Sequence, residues 1–310
     1  KKFSKMKNID QNKEIANRKV SEILARFDRK IKDPRSFREN KKIVKIIRDF
    51  LKIKCSIDKL DKTLKSFVKK NNLNNSFFKL YKRLCPGPIT FVLKKRLTSK
   101  IHRSVTVNMN TVAIRFPKHK VVRSVLKKIN FPLAMPSANL SSGVSPVKAE
   151  NVADEFKKNV KVIIDGGKSK IGIESTVVDL TNKPKILRPG IISPEKIEKI
   201  LGMNIDLEKK FLRSKSPGML KKHYSPGIPI FLNQKIFETN HAFITFGKKY
   251  KDNYNRFNLS KNSNLREAAA NLYEVLRKIK RLKFKKIYIV TIPNKGIGIA
   301  INDRLKRAAS

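Results

Sequence analysis

Three short polar clusters in the middle of the chain carry side chains that could bind a polar ligand. They are PSAN at Pro136–Asn139, GIEST at Gly172–Thr176 and LRPG at Leu187–Gly190. Hydroxyl and amide groups both donate and accept hydrogen bonds, and the planar guanidinium of arginine suits a carboxylate or a phosphate. Taken singly, each cluster is typical of a turn, because Ser, Asn, Gly and Pro are ordinary turn residues. Their grouping in one stretch predicts a binding site.

Arg115 is a further candidate, because it interrupts the apolar run TVAIRF at Thr111–Phe116. A charged side chain among apolar strand residues must either pair with an anion or reach solvent. The residues alone leave both interpretations open.

The elements that must position these side chains are strands and helices in irregular order. Apolar runs predict strands at 89–93, 111–116, 131–135, 161–164, 175–180 and 185–188, and helical spacing predicts helices at 121–129, 148–158 and 194–201. Strands and helices that do not alternate strictly indicate an α+β or mixed α/β fold.

The last third of the chain has a different pattern. Residues 205–228 are rich in Lys, Ser, Pro and Gly without periodicity, and we interpret them as a linker. Predicted strands at 229–232, 242–246 and 285–291 then alternate with predicted helices at 264–280 and 298–307. This alternation predicts a small parallel, Rossmann-like domain. At the other end of the chain, residues 1 to 70 show the spacing of basic amphipathic helices.

The chain is strongly basic, with 73 Lys and Arg against 24 Asp and Glu and a net charge of +49. Such a field attracts polyanions, so contact with RNA or tRNA through the basic surface is expected. Codon bias in an AT-rich genome is an alternative explanation for the lysine count. No apolar run could span a bilayer and the start has no signal-peptide character, which predicts a cytoplasmic protein without membrane contact. Cys55 and Cys85 match no metal-ligand spacing and are expected to be plain thiols.

The polar clusters resemble a known family, the threonylcarbamoyl-AMP synthases of the YrdC/Sua5 type. The resemblance rests on PSANLSSGVSP (136–146), DGG (165–167) followed by GIESTVVDL (172–180), and KILRPG (185–190), with CPGPITFVL (85–93) and TVAIRFP (111–117) upstream. Three later blocks resemble the longer, two-domain Sua5 form: SPGMLKKHYSPGIPI (216–230), NLYEVLRKI (271–279) and GIGIAINDRLKRAA (296–309).

This resemblance implies a mixed α/β protein in four parts. A divergent basic helical segment at 1–52 precedes a YrdC-like α+β domain with a twisted mixed sheet at 53–204, and the linker at 205–228 leads to a small Rossmann-like Sua5 domain at 229–310. The implied activity joins L-threonine, bicarbonate and ATP, with Mg²⁺ accompanying the ATP, to give threonylcarbamoyl-AMP and pyrophosphate. The product would feed the t6A modification of tRNA, with other proteins of that pathway as partners.

The resemblance also implies which residues bind the substrates. Arg115, Ser137 and Ser175 would hold L-threonine, and Arg115 would pair with its carboxylate through two hydrogen bonds. The ATP-binding residues would be Thr111, Asn139, Arg188 and Tyr224. This reaction depends on positioning and charge neutralisation rather than on a protein nucleophile, so no catalytic residue and no protein metal site are assigned. A mobile, solvated linker is the alternative interpretation for His223 and Tyr224.

The N-terminal part departs from the family. Members carry a TxTVYGLG-like motif near their start, which this sequence lacks, and Arg29–Arg35 (RKIKDPR) is only distantly similar to their KxRP-like motif. The segment could be truncated, replaced or frameshifted relative to the family. A noncatalytic RNA-binding protein and an inactive member on the same fold are therefore alternatives to the enzyme.

Overall fold

The computed structural model describes residues 75–95, 101–106, 108–129, 131–208, 223–237 and 240–310. The segment 1–52, the predicted N-terminal helices, Cys55 and most of the predicted linker lie outside these residues, so those expectations stay predictions. Within the described residues, no helix is both long enough and apolar enough to span a bilayer.

Five of the strands form a mixed sheet with the order β2-β1-β3-β4-β5. They are β1 (Ile89–Lys94), β2 (Thr111–Arg115), β3 (Thr176–Asp179), β4 (Lys185–Arg188) and β5 (Asp206–Leu207). β1 is antiparallel to β2 and parallel to β3, while β4 is antiparallel to β3 and parallel to β5. The predicted mixed α/β fold with a mixed sheet is confirmed by this topology together with the second sheet below.

The helices of the described residues are α1 (Asn75–Leu84), α2 (Arg103–Thr106), α3 (Lys120–Lys128), α4 (Ala149–Phe156), α5 (Pro194–Leu201), α6 (Leu265–Arg281) and α7 (Ile297–Ala309). α1 and α5 pack on one face of the mixed sheet. Leu80 of α1 and Ile197 of α5 share a buried cluster with Phe91 of β1. Because side chains alternate between the two faces of a strand, Thr90 projects from the opposite face.

A second sheet of four parallel strands has the order β6-β9-β7-β8. The strands are β6 (Ile230–Phe231), β7 (Ala242–Thr245), β8 (Arg256–Asn258) and β9 (Ile287–Ile289). Parallel strands need a long crossover, and α6 supplies it between β8 and β9. Leu272 and Leu276 of α6 and Ile301 of α7 pack with Ile244 and Ile289 in one buried cluster. This arrangement is the small parallel domain expected from the alternation of strands and helices.

Two strand predictions were wrong. Residues 131–135 and 161–164 have no strand structure, and most of their apolar side chains are exposed, with Met135 at 65% and Val162 at 70%. Pro132 lies within the first run and Pro136 follows it, and neither residue can donate a backbone hydrogen bond to a neighbouring strand. The second run contains no proline, and an apolar run this short does not by itself distinguish a strand from an extended segment.

Candidate active site

Arg115 and Arg188 lie in one row of residues that crosses the mixed sheet. Pairing places Arg115 opposite Thr90, Thr90 beside Val177, and Val177 opposite Arg188. Paired residues on neighbouring strands share a face, which here is the face away from α1 and α5. The row covers three interstrand spacings of about 4.8 Å each, so two long arginine side chains can approach one ligand from both sides.

Ser175 lies between the two arginines and contacts one of them. Its Oγ is 2.7 Å from Thr90 Oγ1, and Arg188 Nη2 donates to the same Oγ at 3.2 Å. Arg188 also donates to the Ser175 carbonyl from Nε at 3.2 Å and from Nη2 at 3.0 Å. Ser175 and Arg188 are both buried. The structure therefore joins one predicted threonine-binding residue to one predicted ATP-binding residue.

Arg115 is exposed at the end of β2 but is electrostatically linked to this cluster. Desolvation first, and the positive charge of Arg188 second, lower the pKa of Arg115. The positive charges of Arg115 and Arg188 thus repel each other. A bound anion would relieve that repulsion, so this part of the sheet is suited to a carboxylate or a phosphate.

The other predicted residues are placed less closely together. Thr111 is half-buried at the start of β2, opposite Lys94, and Ser137 is exposed in the irregular segment after α3. Asn139 Nδ2 donates to the carbonyls of Leu140 at 2.7 Å and of Gly143 at 3.2 Å. Asn139 Oδ1 is buried without a hydrogen-bond partner among the described residues, which leaves an acceptor available for a ligand.

Tyr224 is buried rather than solvated, with 1% of its surface exposed. Its ring stacks on Tyr273 at 5.6 Å between centroids, and the Arg304 guanidinium lies 5.3 Å from its centre. The following residue donates from its backbone, with Ser225 N 2.9 Å from Ser142 O. Burial raises the pKa of Tyr224, and the charge of Arg304, followed by that of Arg188, lowers it to a smaller extent. Tyr224 therefore belongs to the same buried region as Arg188.

Glu174 is the centre of a polar cluster that the sequence analysis did not assign. Ser145 Oγ donates to Glu174 Oε1 at 2.7 Å, Tyr273 OH donates to Oε2 at 2.9 Å, and Arg304 Nε donates to Oε2 at 2.9 Å. Burial alone would raise the pKa of Glu174, but the charges of Arg304 and Arg188 outweigh it and hold the pKa at about 2. Glu174 is therefore an ionised carboxylate at neutral pH.

A signal for this cluster was present in the sequence. Arg304 falls on the apolar stripe of α7, at helical spacing from Ile297, Ile301 and Ala308. A charged residue on a buried stripe requires an opposite charge elsewhere in the fold. The partner could not be named from the sequence, because Glu174 and Arg304 are 130 positions apart.

Comparison with known proteins finds two family models that together span most of the chain. Residues 52–190 match the Sua5/YciO/YrdC family, described as telomere recombination. Residues 192–310 match the family described as the C-terminal domain of threonylcarbamoyl-AMP synthase.

Individual relatives agree with these matches. The threonylcarbamoyl-AMP synthase of Pyrococcus abyssi is 36% identical over 251 residues, which cover 74% of this chain and 72% of that protein. The synthase of Bacillus subtilis is 34% identical over 250 residues with the same coverage. The crystal structure of P. abyssi Sua5 complexed with L-threonine superposes with a TM-score of 0.69 at 32% identity, over 77% of this chain and 75% of that one.

Proposed function

The chain belongs to the threonylcarbamoyl-AMP synthase family of the Sua5/YrdC type, and we infer that it forms threonylcarbamoyl-AMP. The observation that carries this function is the Thr90–Ser175–Arg188 cluster with Arg115 in the same row of the sheet. A relative with the same fold has been crystallised with L-threonine, which supports binding of that amino acid here.

The reaction forms one C–N bond and one O–P bond, and it breaks one C–O bond of bicarbonate and one phosphoanhydride bond of ATP. The threonine nitrogen joins the carbon of bicarbonate with loss of water, and an oxygen of the resulting carbamate attacks the α-phosphorus of ATP, so that pyrophosphate leaves. We propose that Arg115 and Ser175 hold the threonine carboxylate and amino end, together with Ser137. Thr111, Asn139, Arg188 and Tyr224 would contact the nucleotide. Fixed cations and hydroxyl groups supply the required orientation and charge neutralisation.

Mg²⁺ is expected to arrive with ATP. The described residues contain no group of three or more His, Cys, Asp or Glu side chains that could hold a metal ion. Mg²⁺ commonly keeps several waters and binds substrate phosphates, so it would be held mainly by the triphosphate. When bound, Mg²⁺ would offset the charge of the triphosphate beside Arg188.

The test is pyrophosphate release by the purified chain with L-threonine, bicarbonate, ATP and Mg²⁺, followed by mass detection of threonylcarbamoyl-AMP. We expect release only when all substrates are present. Arg188→Lys should reduce the rate, while Arg266→Lys, an exposed residue near the start of α6, should leave it unchanged. Release that does not depend on threonine, or no release, would contradict the function, and no release would favour an inactive member of the family.

The product is an activated acyl-adenylate, which a tRNA-modifying enzyme must consume to make t6A. We propose that the partners are enzymes of that pathway and that the chain works in the cytoplasm. Detection of the t6A nucleoside in a mixture of this chain, substrate tRNA and the downstream enzymes tests this placement.

A second activity, RNA binding, is favoured by one groove. The surface between α1 and α5 forms a groove of about 570 Å³ lined by five cations and Ile200, namely Lys79, Lys82, Arg83, Lys196 and Lys199. Its lining contains no acidic residue. A row of cations without counter-charges suits the phosphates of RNA, and such binding weakens steeply with salt.

Two variants of equal net charge distinguish the contribution of the groove to RNA affinity from that of the chain's overall charge. One replaces Lys82, Arg83, Lys196 and Lys199 by Gln, and the other replaces the exposed Lys248, Lys251, Lys285 and Lys295 by Gln. We expect only the groove variant to lose tRNA affinity, with a salt slope reduced by about 3, since each lost phosphate contact accounts for about 0.7–0.9. Equal losses in both variants would assign the attraction to net charge alone.

A further inference from the structure

The loop Gly172–Ser175, which presents Ser175 to the site, is held from its other side by helices α6 and α7. We propose that Arg304 is a positioning residue for the synthase reaction, acting through Glu174 on Ser175. This inference rests on the proposed function. It assigns to α7 a part in threonine binding although Arg304 does not belong to the predicted substrate contacts.

The first point of attachment is the backbone of the loop. A Cβ atom placed on Gly172 would lie 2.4 Å from the carbonyl oxygen of Ala269 and 2.5 Å from Cα of Ala270. The loop and α6 therefore touch through their main chains with no side chain between them. A contact of this kind leaves the loop little room to shift relative to α6.

The second point is the carboxylate of Glu174. It receives hydrogen bonds from Tyr273 of α6 and Arg304 of α7, both at 2.9 Å to Oε2, and from Ser145 at 2.7 Å. The Arg304 side chain has 0% of its surface exposed, and its Nη1 also donates to Asp303 at 2.6 Å. A charge-assisted bond made by such a fixed guanidinium restrains the carboxylate in both distance and direction.

The third step connects the carboxylate to the site. Ser175 follows Glu174 directly, and Ser175 accepts three hydrogen bonds from Arg188, two at its carbonyl and one at its hydroxyl. A displacement of Glu174 would move this carbonyl and the Ser175 hydroxyl, and hence the Arg188 guanidinium. The position of α7 is therefore transmitted to two predicted substrate-binding residues through one peptide segment.

A matched pair of variants tests the role of Arg304. Arg304→Lys keeps a positive charge but loses the fork that binds Glu174 and Asp303. Arg307→Lys changes a buried arginine one turn later on the same helix, where Arg307 Nε donates to Asp303 and not to Glu174. We expect Arg304→Lys to weaken L-threonine binding by about tenfold or more, with a smaller change for ATP, and Arg307→Lys to change neither.

Amide hydrogen exchange gives a readout that needs no ligand. The peptide containing Ser175 and Thr176 should exchange faster in Arg304→Lys than in wild type or Arg307→Lys, because the loop is released. If wild type fails to bind L-threonine, the proposed function fails while this measurement still tests the restraint. Normal threonine affinity together with unchanged exchange in a folded Arg304→Lys would overturn the proposal.

If Arg304→Lys does not fold, Tyr273→Phe provides a second test. This variant removes one donor to Glu174 and keeps the ring that stacks on Tyr224. Partial release should weaken threonine binding by a few-fold and raise exchange in the same peptide. Wild-type threonine affinity and wild-type exchange in Tyr273→Phe would also overturn the proposal.

Discussion

Arg304 and Glu174 form an ion pair across 130 positions of the chain, with Arg304 Nε 2.9 Å from Glu174 Oε2. The arginine side chain is fully buried and the glutamate side chain is 20% exposed. Removing one partner of a buried pair leaves an uncompensated charge, which costs far more than losing an exposed pair. This pair therefore fixes α7 to the loop that precedes β3.

The stability of the protein should depend on the charge of Glu174 at acidic pH. The pKa of Glu174 is held at about 2, below its ordinary 4.5. A carboxylate with a depressed pKa contributes its full stability above pH 4.5 and loses it as the pH falls toward 2. Glu174→Gln should therefore cost about 3 kcal/mol or more at pH 7, and the difference from wild type should shrink between pH 4.5 and 2.

Urea unfolding at a series of pH values measures this difference. Asp252→Asn is the control, because Asp252 pairs with Lys261 at the surface, where both side chains are mostly exposed. Its cost should stay below about 1 kcal/mol. A cost of Glu174→Gln that is independent of pH from 7 to 2 would show that the folded protein does not lower the pKa of this carboxylate.

Comparing Gly172 with Gly202 separates two contributions to the cost of replacing a glycine by alanine, namely a close contact with backbone atoms and an unfavourable backbone conformation. Their φ angles are similar, +77° and +73°, but a Cβ on Gly202 would meet no atom within 4 Å, whereas one on Gly172 would overlap the main chain of α6. Gly202→Ala should cost about 1 kcal/mol from conformation alone. Gly172→Ala should cost clearly more, because backbone atoms of a helix cannot move aside. Equal urea midpoints for the two variants would contradict the contact.

The sequence predicts those parts of the site that depend on patterns within a short stretch of the chain. β3 and β4 follow from apolar runs, one that starts after Ser175 and one that ends at Arg188, and a mixed fold follows from the irregular order of elements. The substrate-binding roles of all seven predicted site residues stay predictions, namely those of Thr111, Arg115, Ser137, Asn139, Ser175, Arg188 and Tyr224.

The parts that could not be predicted depend on pairing between distant segments. The sequence marks Arg304 as a charge on an apolar stripe but gives no sign of which of the acidic residues it meets. The row that places Arg115 beside Arg188 likewise depends on strand order, which local patterns do not contain. The strand predictions at 131–135 and 161–164 were wrong for a related reason. An apolar run forms a strand only where it can pair with a neighbouring strand.

Cys85 should be a poor nucleophile in the folded protein. It is a free, half-buried thiol, and burial raises its pKa to about 12. At pH 8 only about one molecule in ten thousand would then carry the thiolate, against about a quarter for an ordinary cysteine. In a Cys55→Ser background, iodoacetamide should label Cys85 at least a hundredfold more slowly in buffer than in urea. Comparable rates would show that the thiol is solvated.

Arg115→Lys tests the placement of threonine on the sheet. Lysine keeps the charge at the end of β2 but cannot form two parallel bonds with a carboxylate. L-threonine binding should weaken about tenfold to a hundredfold, which corresponds to a lost charge-assisted contact of about 1.5–3 kcal/mol. ATP binding, assigned mainly to Asn139 and Arg188, should change much less.

Calorimetric titration of each ligand into wild type, Arg115→Lys and Arg266→Lys separates these effects. Arg266 is an exposed arginine of α6, so its replacement should leave both affinities unchanged. Lysine keeps the positive charge of Arg115, so a loss of threonine affinity could not be attributed to a change in charge. Unchanged threonine affinity in a folded Arg115→Lys would make Arg115 a surface residue and would move the carboxylate to another part of the row, where Arg188 is the remaining arginine.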